Sequence, residues 1–416
     1  MKEADCLARA GYSVSVITAR YSSWGIEADS SCCSAQWHWV ASLPFGPLAP
    51  LRTRLRHAWV VQCARLLWRL GFRHYRVATA AWHPLDGDLI RTAQACKADL
   101  YIAHYPAALP AAALAARMHQ ARYAFDAEDF HLGDPPDHPR FHTQRALTRA
   151  IESRWLPGAC FTTAASAGIA RAYVSSYGIP QPTVVRNMFP RAQAPAGPTP
   201  RGSVQPGPTV YWFSQTIGPD RGLECAVQAL ALAHSAPHLH LRGVVHSTYR
   251  DQLLALAREH GVDDKLHFHP PGTPHLMEEL ASVCDVGLVS ETGHTPNRCI
   301  ALTNKLFSFA LAGVPMLLSD IPAHCDVIAE AGKAAQLFQR EDPVSLAAAF
   351  DSWLASSPDV LAEARVTAYQ LGQNHWNWER EQTLLLERVM QIVKPPLSRP
   401  SATHVHEKDA PTQFPT

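Results

Sequence analysis

The stretch 303–315, TNKLFSFALAGVP, carries the most structural information in this chain. Three polar residues, Thr303, Asn304 and Lys305, open an apolar segment that closes at Gly313-Val314-Pro315, and Met316-Leu317-Leu318 then re-enters a strand. Glycine past the last apolar turn, with proline just beyond it, is a helix stop signal. A helix that opens from a loop between strands presents free backbone N–H groups and a positive dipole end. With a lysine in the same turn, such an end is a good place to hold a phosphate. The same letters also describe a plain buried helix between two strands, with the lysine left in water.

Working outward, strands and helices alternate on both sides of this stretch. Apolar spacing predicts a helix over 3–10, a strand over 14–18 and a strand over 98–104. Then come a helix over 109–118, a strand over 123–126, a helix over 143–155, a strand over 159–163, a helix over 165–177 and a strand over 183–185. Residues 190–208 are rich in proline and glycine and read as a linker. A second alternation follows, with strands at 209–213, 238–242, 265–268, 285–289 and 315–318 and helices at 221–234, 248–260, 275–282 and 304–312. A last helix covers 377–393, and the tail 395–416, with five prolines in 22 residues, reads as disordered. Alternation of this kind means parallel sheets with ligands at the carboxyl ends of the strands. The expectation is two Rossmann-like α/β domains, over 1–189 and 209–375, with a helix at 376–394 and a cleft between the domains as the default ligand site.

At 416 residues the chain suits two domains. A net charge of +1 gives no support to nucleic-acid binding. The ten cysteines show no C-x-x-C pairing, and the adjacent Cys32-Cys33 are poorly placed to bridge each other, so a reducing, cytoplasmic setting without a metal cluster is expected. No apolar run reaches the roughly 18 residues of a membrane span. The start, MKEADCLARAG, carries acids and lacks the apolar core of a signal peptide.

Four segments together resemble retaining glycosyltransferases of the GT-B fold, in the broad sequence family four, over roughly residues 3–393. They are CLARAGYSVSVIT, IGPDRGLECAVQAL, CDVGLVSE followed by TNKLFSFALAGVP, and NWEREQTLLLERV. The resemblance implies a nucleotide-diphosphate sugar bound to the second domain, an acceptor on the first, and a last helix crossing back to the first domain. It implies no cofactor and no metal, because a basic pair neutralises the diphosphate leaving group. Arg221 and Lys305 match that pair, Arg221-Gly222 standing where the family usually has Lys-Gly. Arginine grips phosphate with two parallel donors and lysine acts as a point charge. Gly218, Glu291, Asn297, Arg298 and Asn304 fall in the loops that would surround the donor. The family's ribose-binding glutamate pair aligns with Ile300 and Ser308, and its first phosphate arginine with Thr216. Ser308 offers one contact where a glutamate offers a charged bidentate one.

On the acceptor side, DAEDFH at 126–131 ends a strand, and related enzymes often have Asp-Ala-His-Glu there. Asp126, Glu128 and Asp129 are carboxylates that can raise one another's pKa and supply a base for an acceptor hydroxyl, with His104 on the same rim. Capping and solvated-turn roles describe the same residues. A first domain of this kind normally begins with a strand and a glycine-rich loop, so an upstream strand is expected before the first helix. Residues 52–76 hold seven arginines and no acid, interleaved with Trp59 and Trp68. That pattern fits either a helix lying on an anionic membrane, near a lipid-linked acceptor, or an outer helix with arginines in water. The expected partners are a nucleotide-sugar donor and a saccharide or lipid-linked acceptor, in cell-surface polysaccharide or glycolipid synthesis. A non-catalytic scaffold of the same fold and a nucleotide-sugar epimerase are the alternatives.

Overall fold

The structure, a computed structural model, describes residues 1–20, 37–199 and 207–394. The tail expected to be disordered, and residues 200–206 of the linker, lie outside it. The first domain runs α1 (Lys2–Arg9), β1 (Ser15–Arg20), β2 (His38–Pro44), α2 (Leu51–Arg69), α3 (Tyr75–Trp82), α4 (Asp86–Ala95), β3 (Leu100–His104), α5 (Leu109–His119), β4 (Arg122–Ala127), α6 (His142–Trp155), β5 (Thr162–Ala164), α7 (Ala167–Tyr177) and β6 (Thr183–Val184). The second runs β7 (Thr209–Ile217), α8 (Leu223–Leu232), β8 (His238–Val245), α9 (Ser247–Glu259), β9 (Leu266–His269), α10 (Met277–Ser282), β10 (Val286–Val289), α11 (Pro296–Ile300), α12 (Asn304–Ala312), β11 (Met316–Ser319), α13 (Pro322–Ala331), β12 (Ala335–Phe338), α14 (Pro343–Leu354), α15 (Pro358–Asn374) and α16 (Trp378–Ile392).

Every strand pairing is parallel, as the alternation requires. The second domain holds one six-stranded sheet in the order β12-β11-β10-β7-β8-β9. The chain leaves the central β7 toward β8 and β9, then returns to the other side of β7 with β10. That reversal between β7 and β10 is a topological switch point, where the loops diverge and leave a crevice at the carboxyl ends of the strands. The first domain divides between a β1-β2 pair and a β3-β4-β5-β6 sheet. Ile17 of β1 and Tyr101 of β3 pack on the same cluster of Ala93, Ala111 and Ala115, yet among the described residues no strand joins the two sheets.

Helix α12 is buried from Lys305 to Ala312, with apolar residues on every face and Lys305 and Ser308 buried among them. It ends at Gly313 in the left-handed region (φ 69°), whose N–H bonds back to Ala310, while Val314 bonds back to Phe309. Two glycines let the neighbours close on it. A Cβ at Gly287 of β10 would stand 2.6 Å from the Phe309 ring, and one at Gly372 of α15 would stand 2.6 Å from the Leu311 Cα. Burial of Leu306, Phe307, Phe309 and Leu311 contributes about 1.5–3 kcal/mol each.

The last helix does cross back. Trp378, Leu385 and Val389 of α16 pack with Cys6 of α1 and Val185, and Arg388 donates to Thr183 Oγ1 at 2.7 Å. Trp376 behaves differently from its neighbour. It stands in the second domain's core, edge-on to Phe307, donating to Glu330 at 2.8 Å. The two tryptophans therefore anchor one helix start to both domains, and only Trp378 docks on the first.

An edge of the second sheet carries four histidines on one face. His238 and His240 of β8 face His267 and His269 of β9, hydrogen-bonded pairwise at 2.9 Å with stacked rings. Each pair needs a neutral acceptor ring. Burial first, then the facing histidines, lowers His240 to about 3 and also lowers His267, while burial, then Arg242 and His267, lowers His269. Folded pKa values below the unfolded 6.5 mean stability that is present above that pH and lost as pH falls through the window beneath it. The melting temperature is expected to drop between pH 7 and pH 5, with His240 alone accounting for about 2 kcal/mol at pH 5. Thermal melts of His240→Gln should show a shallower acid slope; an unchanged slope counts against the pairing as its source.

Candidate functional site

The side chains at the switch point form one charge cluster. The β10 strand delivers Glu291, which is 1% exposed and whose N–H is fixed by Ser319 Oγ at 2.9 Å. Arg221, from the loop after β7, reaches Glu291 Oε1 at 3.3 Å. Lys305, in the first turn of α12, stands 3.6 Å from the same oxygen, and Arg298 of α11 stands 3.9 Å from Oε2. Three cations against one carboxylate leave an excess of two positive charges at a crevice. Asn304 is exposed at the mouth of the helix, one residue before Lys305.

The loops after β7 and β10 clamp each other. Ser290 Oγ donates to the Arg221 carbonyl at 2.6 Å, and Thr292 donates to the Asp220 carbonyl at 3.2 Å. Gly222 adopts φ 68° against Ser290, where a Cβ would lie 3.1 Å from the serine Cβ. This clamp holds Arg221 where α8 begins. Burial, then the nearby arginines, outweighs Glu291 and lowers Lys305 to about 8, so a further anion would raise it again. Lys305 is therefore not the solvent lysine of the plainer reading; it is buried, with its ammonium 5.0 Å from the Trp212 ring. Thr216, exposed near the end of β7, and Gly218, just past it, add no charge to the cluster.

Two other donor-side positions are occupied by contacts within the protein. Ser308 is buried and donates to Glu278 Oε1 of α10 at 2.7 Å; Glu278 Oε2 has no partner among the described residues, and burial raises its pKa. Asn297 turns to the first domain, donating to Asp129 at 2.8 Å and Asp134 at 3.1 Å and accepting from the Phe130 N–H at 2.8 Å. With Ser166 Oγ donating to the Ile300 carbonyl at 2.6 Å, this segment ties the domains together beside the cluster. A cavity of about 600 Å³ borders the tie at Phe130, Gly133 and Pro296, next to Arg145 and Arg149 and away from Glu291.

Facing these, the carboxyl end of the first domain's sheet gathers its own charges. His104 Nδ1 lies 3.2 Å from Asp126 and 3.4 Å from Glu128, and its Nε2 lies 3.3 Å from Glu3 of α1. Burial alone would lower this histidine, but Glu3 and the hydrogen bonds to the carboxylates outweigh it and hold it well above its ordinary value. The ring is 42% exposed, so solvent screens part of that effect. Glu3, His104 and Asp126 place three ligand atoms within 4.8 Å of one another, a spacing that could hold a cation. While protonated, His104 has two N–H donors and no lone pair to offer a cation. Tyr105, next in the chain, takes φ 79°, a strained value for a residue with a side chain, and lies edge-on to Trp82 and His131. Asp129 is committed to Asn297, whereas Glu128 is exposed on the rim. Glu3, Glu278 and Tyr105 had no local signal in the sequence; each matters through a contact made across the fold.

Residues 1–188 match the model of a glycosyl transferase 4-like domain. No curated protein matches the sequence. Among solved structures, HepE of Anabaena, in complex with UDP and glucose, is 15% identical, with a TM-score of 0.63 over 91% of this chain and 100% of that one. A glycosyltransferase from Rickettsia africae is 13% identical, with a TM-score of 0.65 over 95% and 94% of the two chains. The sucrose-phosphate synthase of Thermosynechococcus elongatus is 14% identical, with a TM-score of 0.65 over 94% and 92%. The domain match, the two facing parallel-sheet units and the crossing helix agree: residues 1–188 are similar to a glycosyl transferase 4-like domain, and the chain as a whole has the GT-B fold of these solved structures.

Proposed function

We propose that this protein moves a sugar from a nucleotide-diphosphate sugar to a hydroxyl on a saccharide or lipid-linked acceptor, retaining the anomeric configuration and using no metal or cofactor. The observation that carries this is the convergence of Arg221, Arg298 and Lys305 on the single carboxylate of Glu291 at the switch point. A diphosphate supplies the negative charge that the cluster lacks, and fixed cations stabilise it further as it departs. Lys305 and the start of α12 meet its oxygens; Arg221 offers a fork. Across the cleft, Glu128, Asp126 and the protonated His104 orient the acceptor hydroxyl, and the leaving phosphate takes its proton on the same face. The setting is the cytoplasm, with the product entering cell-surface polysaccharide or glycolipid.

UDP is the first probe, because HepE of Anabaena was solved with UDP, with UDP and glucose, and with UDP-glucose. A thermal-shift series of UDP, GDP and ADP should single out one nucleotide. At 100 times its Kd that ligand adds about 2.7 kcal/mol. No shift with any of them removes the donor assignment. The affinity should also weaken as pH rises through about 8, where the free protein's Lys305 loses its proton. Since the bound diphosphate keeps that proton, linkage gives roughly a tenfold loss between pH 7 and pH 9. Calorimetric Kd values that stay flat across that range contradict a role for Lys305.

The commitment of Ser308 to Glu278 favours a second reading, a non-catalytic scaffold of this fold. The ribose contact that the family resemblance assigns to position 308 is not free there. Nucleotide binding without hydrolysis or transfer of the sugar would select it.

A further inference from the structure

Helix α2 presents two apolar faces, and among the described residues only one of them has a partner. His57, Ala64 and Trp68 are buried on the inner face. Leu51, Leu55, Trp59, Leu66 and Leu70 are 57–70% exposed. At 100° per residue these five directions fall within roughly 100° of each other, nearly opposite the buried face. An outward apolar stripe more than four turns long is not what a helix with a single partner shows. Exposed Phe72 extends it past the helix end.

Arginines flank the stripe. Arg52 and Arg56 project on one side and Arg54, Arg65 and Arg69 on the other, with Arg73 and Arg76 following, all exposed. Arg56 pairs with Asp88, and Arg73 lies over Trp68, but the side chains of Arg52, Arg54 and Arg69 have no hydrogen-bond or ion-pair partner among the described residues. A chain of net +1 with seven positive charges and no acid in 52–76 carries a net −6 elsewhere, so the positive charge is concentrated on this face.

We infer that α2 is a docking face for an anionic phospholipid bilayer, lying flat with its stripe among the acyl chains and its arginines at the headgroups. Apolar area and phosphate-seeking cations on one helix face are what such a surface requires. Among the described residues no helix is long and apolar enough to cross a membrane, and the contact inferred here is a peripheral one. A second copy of this chain fits less well, because a two-fold pairing through the stripe would bring the two sets of seven arginines together. The assignment of a lipid-linked acceptor rests on the proposed transferase reading; the docking itself does not.

Sedimentation with vesicles tests it, using the full chain. The wild-type protein should partition onto vesicles containing phosphatidylglycerol at least tenfold better than onto pure phosphatidylcholine, and 0.5 M salt should reduce the binding. Arg52→Gln, Arg54→Gln and Arg69→Gln combined, and separately Trp59→Ser with Leu66→Ser, should each lower partitioning at least tenfold. Both variants change only exposed side chains, so the nucleotide-induced thermal shift should remain as in the wild type. Equal binding to neutral and anionic vesicles, or unaltered binding of either variant, overturns the inference. So does a dimer in light scattering that Trp59→Ser with Leu66→Ser dissociates. Vesicle binding without any nucleotide shift would sink the transferase reading and leave the docking face standing.

Discussion

Arg221→Ala and Lys305→Ala each lower sugar transfer at least tenfold once the donor is identified. Each removes a charge that faces the leaving diphosphate, and tenfold corresponds to only about 1.4 kcal/mol of transition-state stabilisation. Lys305 should show the larger loss, because it is buried, whereas Arg221 keeps part of its guanidinium in solvent. The loss belongs in kcat/KM, and a saturating donor concentration should not restore it if the cations act on the departing group. Circular dichroism must show both variants folded. Wild-type kcat/KM in either folded variant rules that residue out of the diphosphate site.

Trp376→Ala destabilises the second domain by about 3–5 kcal/mol, the usual cost of emptying a large buried aromatic site. The side chain is 1% exposed, and its loss also frees Glu330, which holds Arg186 of the first domain at 2.7 and 2.8 Å. Urea unfolding followed by far-UV circular dichroism should show the midpoint of one transition moving strongly to lower denaturant. Trp59→Ala, on the exposed stripe, serves as the contrast and should move it by less than about 0.5 kcal/mol. Similar shifts for the two would mean that the anchoring role of Trp376 is misassigned.

Much of the fold could be read from local pattern. All twelve strands and helices expected between 98 and 185 and between 209 and 268 correspond to observed elements, displaced by at most three residues at every end but one; β7 ends at Ile217 rather than 213. Their periodicity reports which face is buried, and that survives tertiary assembly. Helices α13, α14 and α15 drew no sequence expectation although each begins with proline at its first turn, and α14 has Asp342 capping Val344 and Ser345. Those are start signals that a search for apolar alternation passes over.

The candidate site was legible in part. Lys305 could be named because it opens a helix after a strand of the second unit, and Arg221 because Arg221-Gly222 matches the Lys-Gly position of the family that the chain resembles. Glu291 was marked as a loop carboxylate, but its place between three cations depends on loops 70 residues apart in sequence being brought together by the β7-β10 pairing. In the same way, Asn297 could be placed near the donor by position alone, and only the packed domains turn it toward Asp129 and Asp134.

The sequence by itself determined two parallel α/β units, a buried helix at 304–312 with a cation in its first turn, and a basic stretch at 52–76. Helical and strand periods and glycine and proline punctuation are properties of neighbouring residues. The tertiary structure alone decided which carboxylate meets which cation, that Ser308 is spent on Glu278, that Trp376 and Trp378 serve different domains, and which apolar face of α2 is left in water. Those outcomes are set by contacts between distant segments, whose energies depend on burial and on angstrom-scale distances that no local pattern encodes.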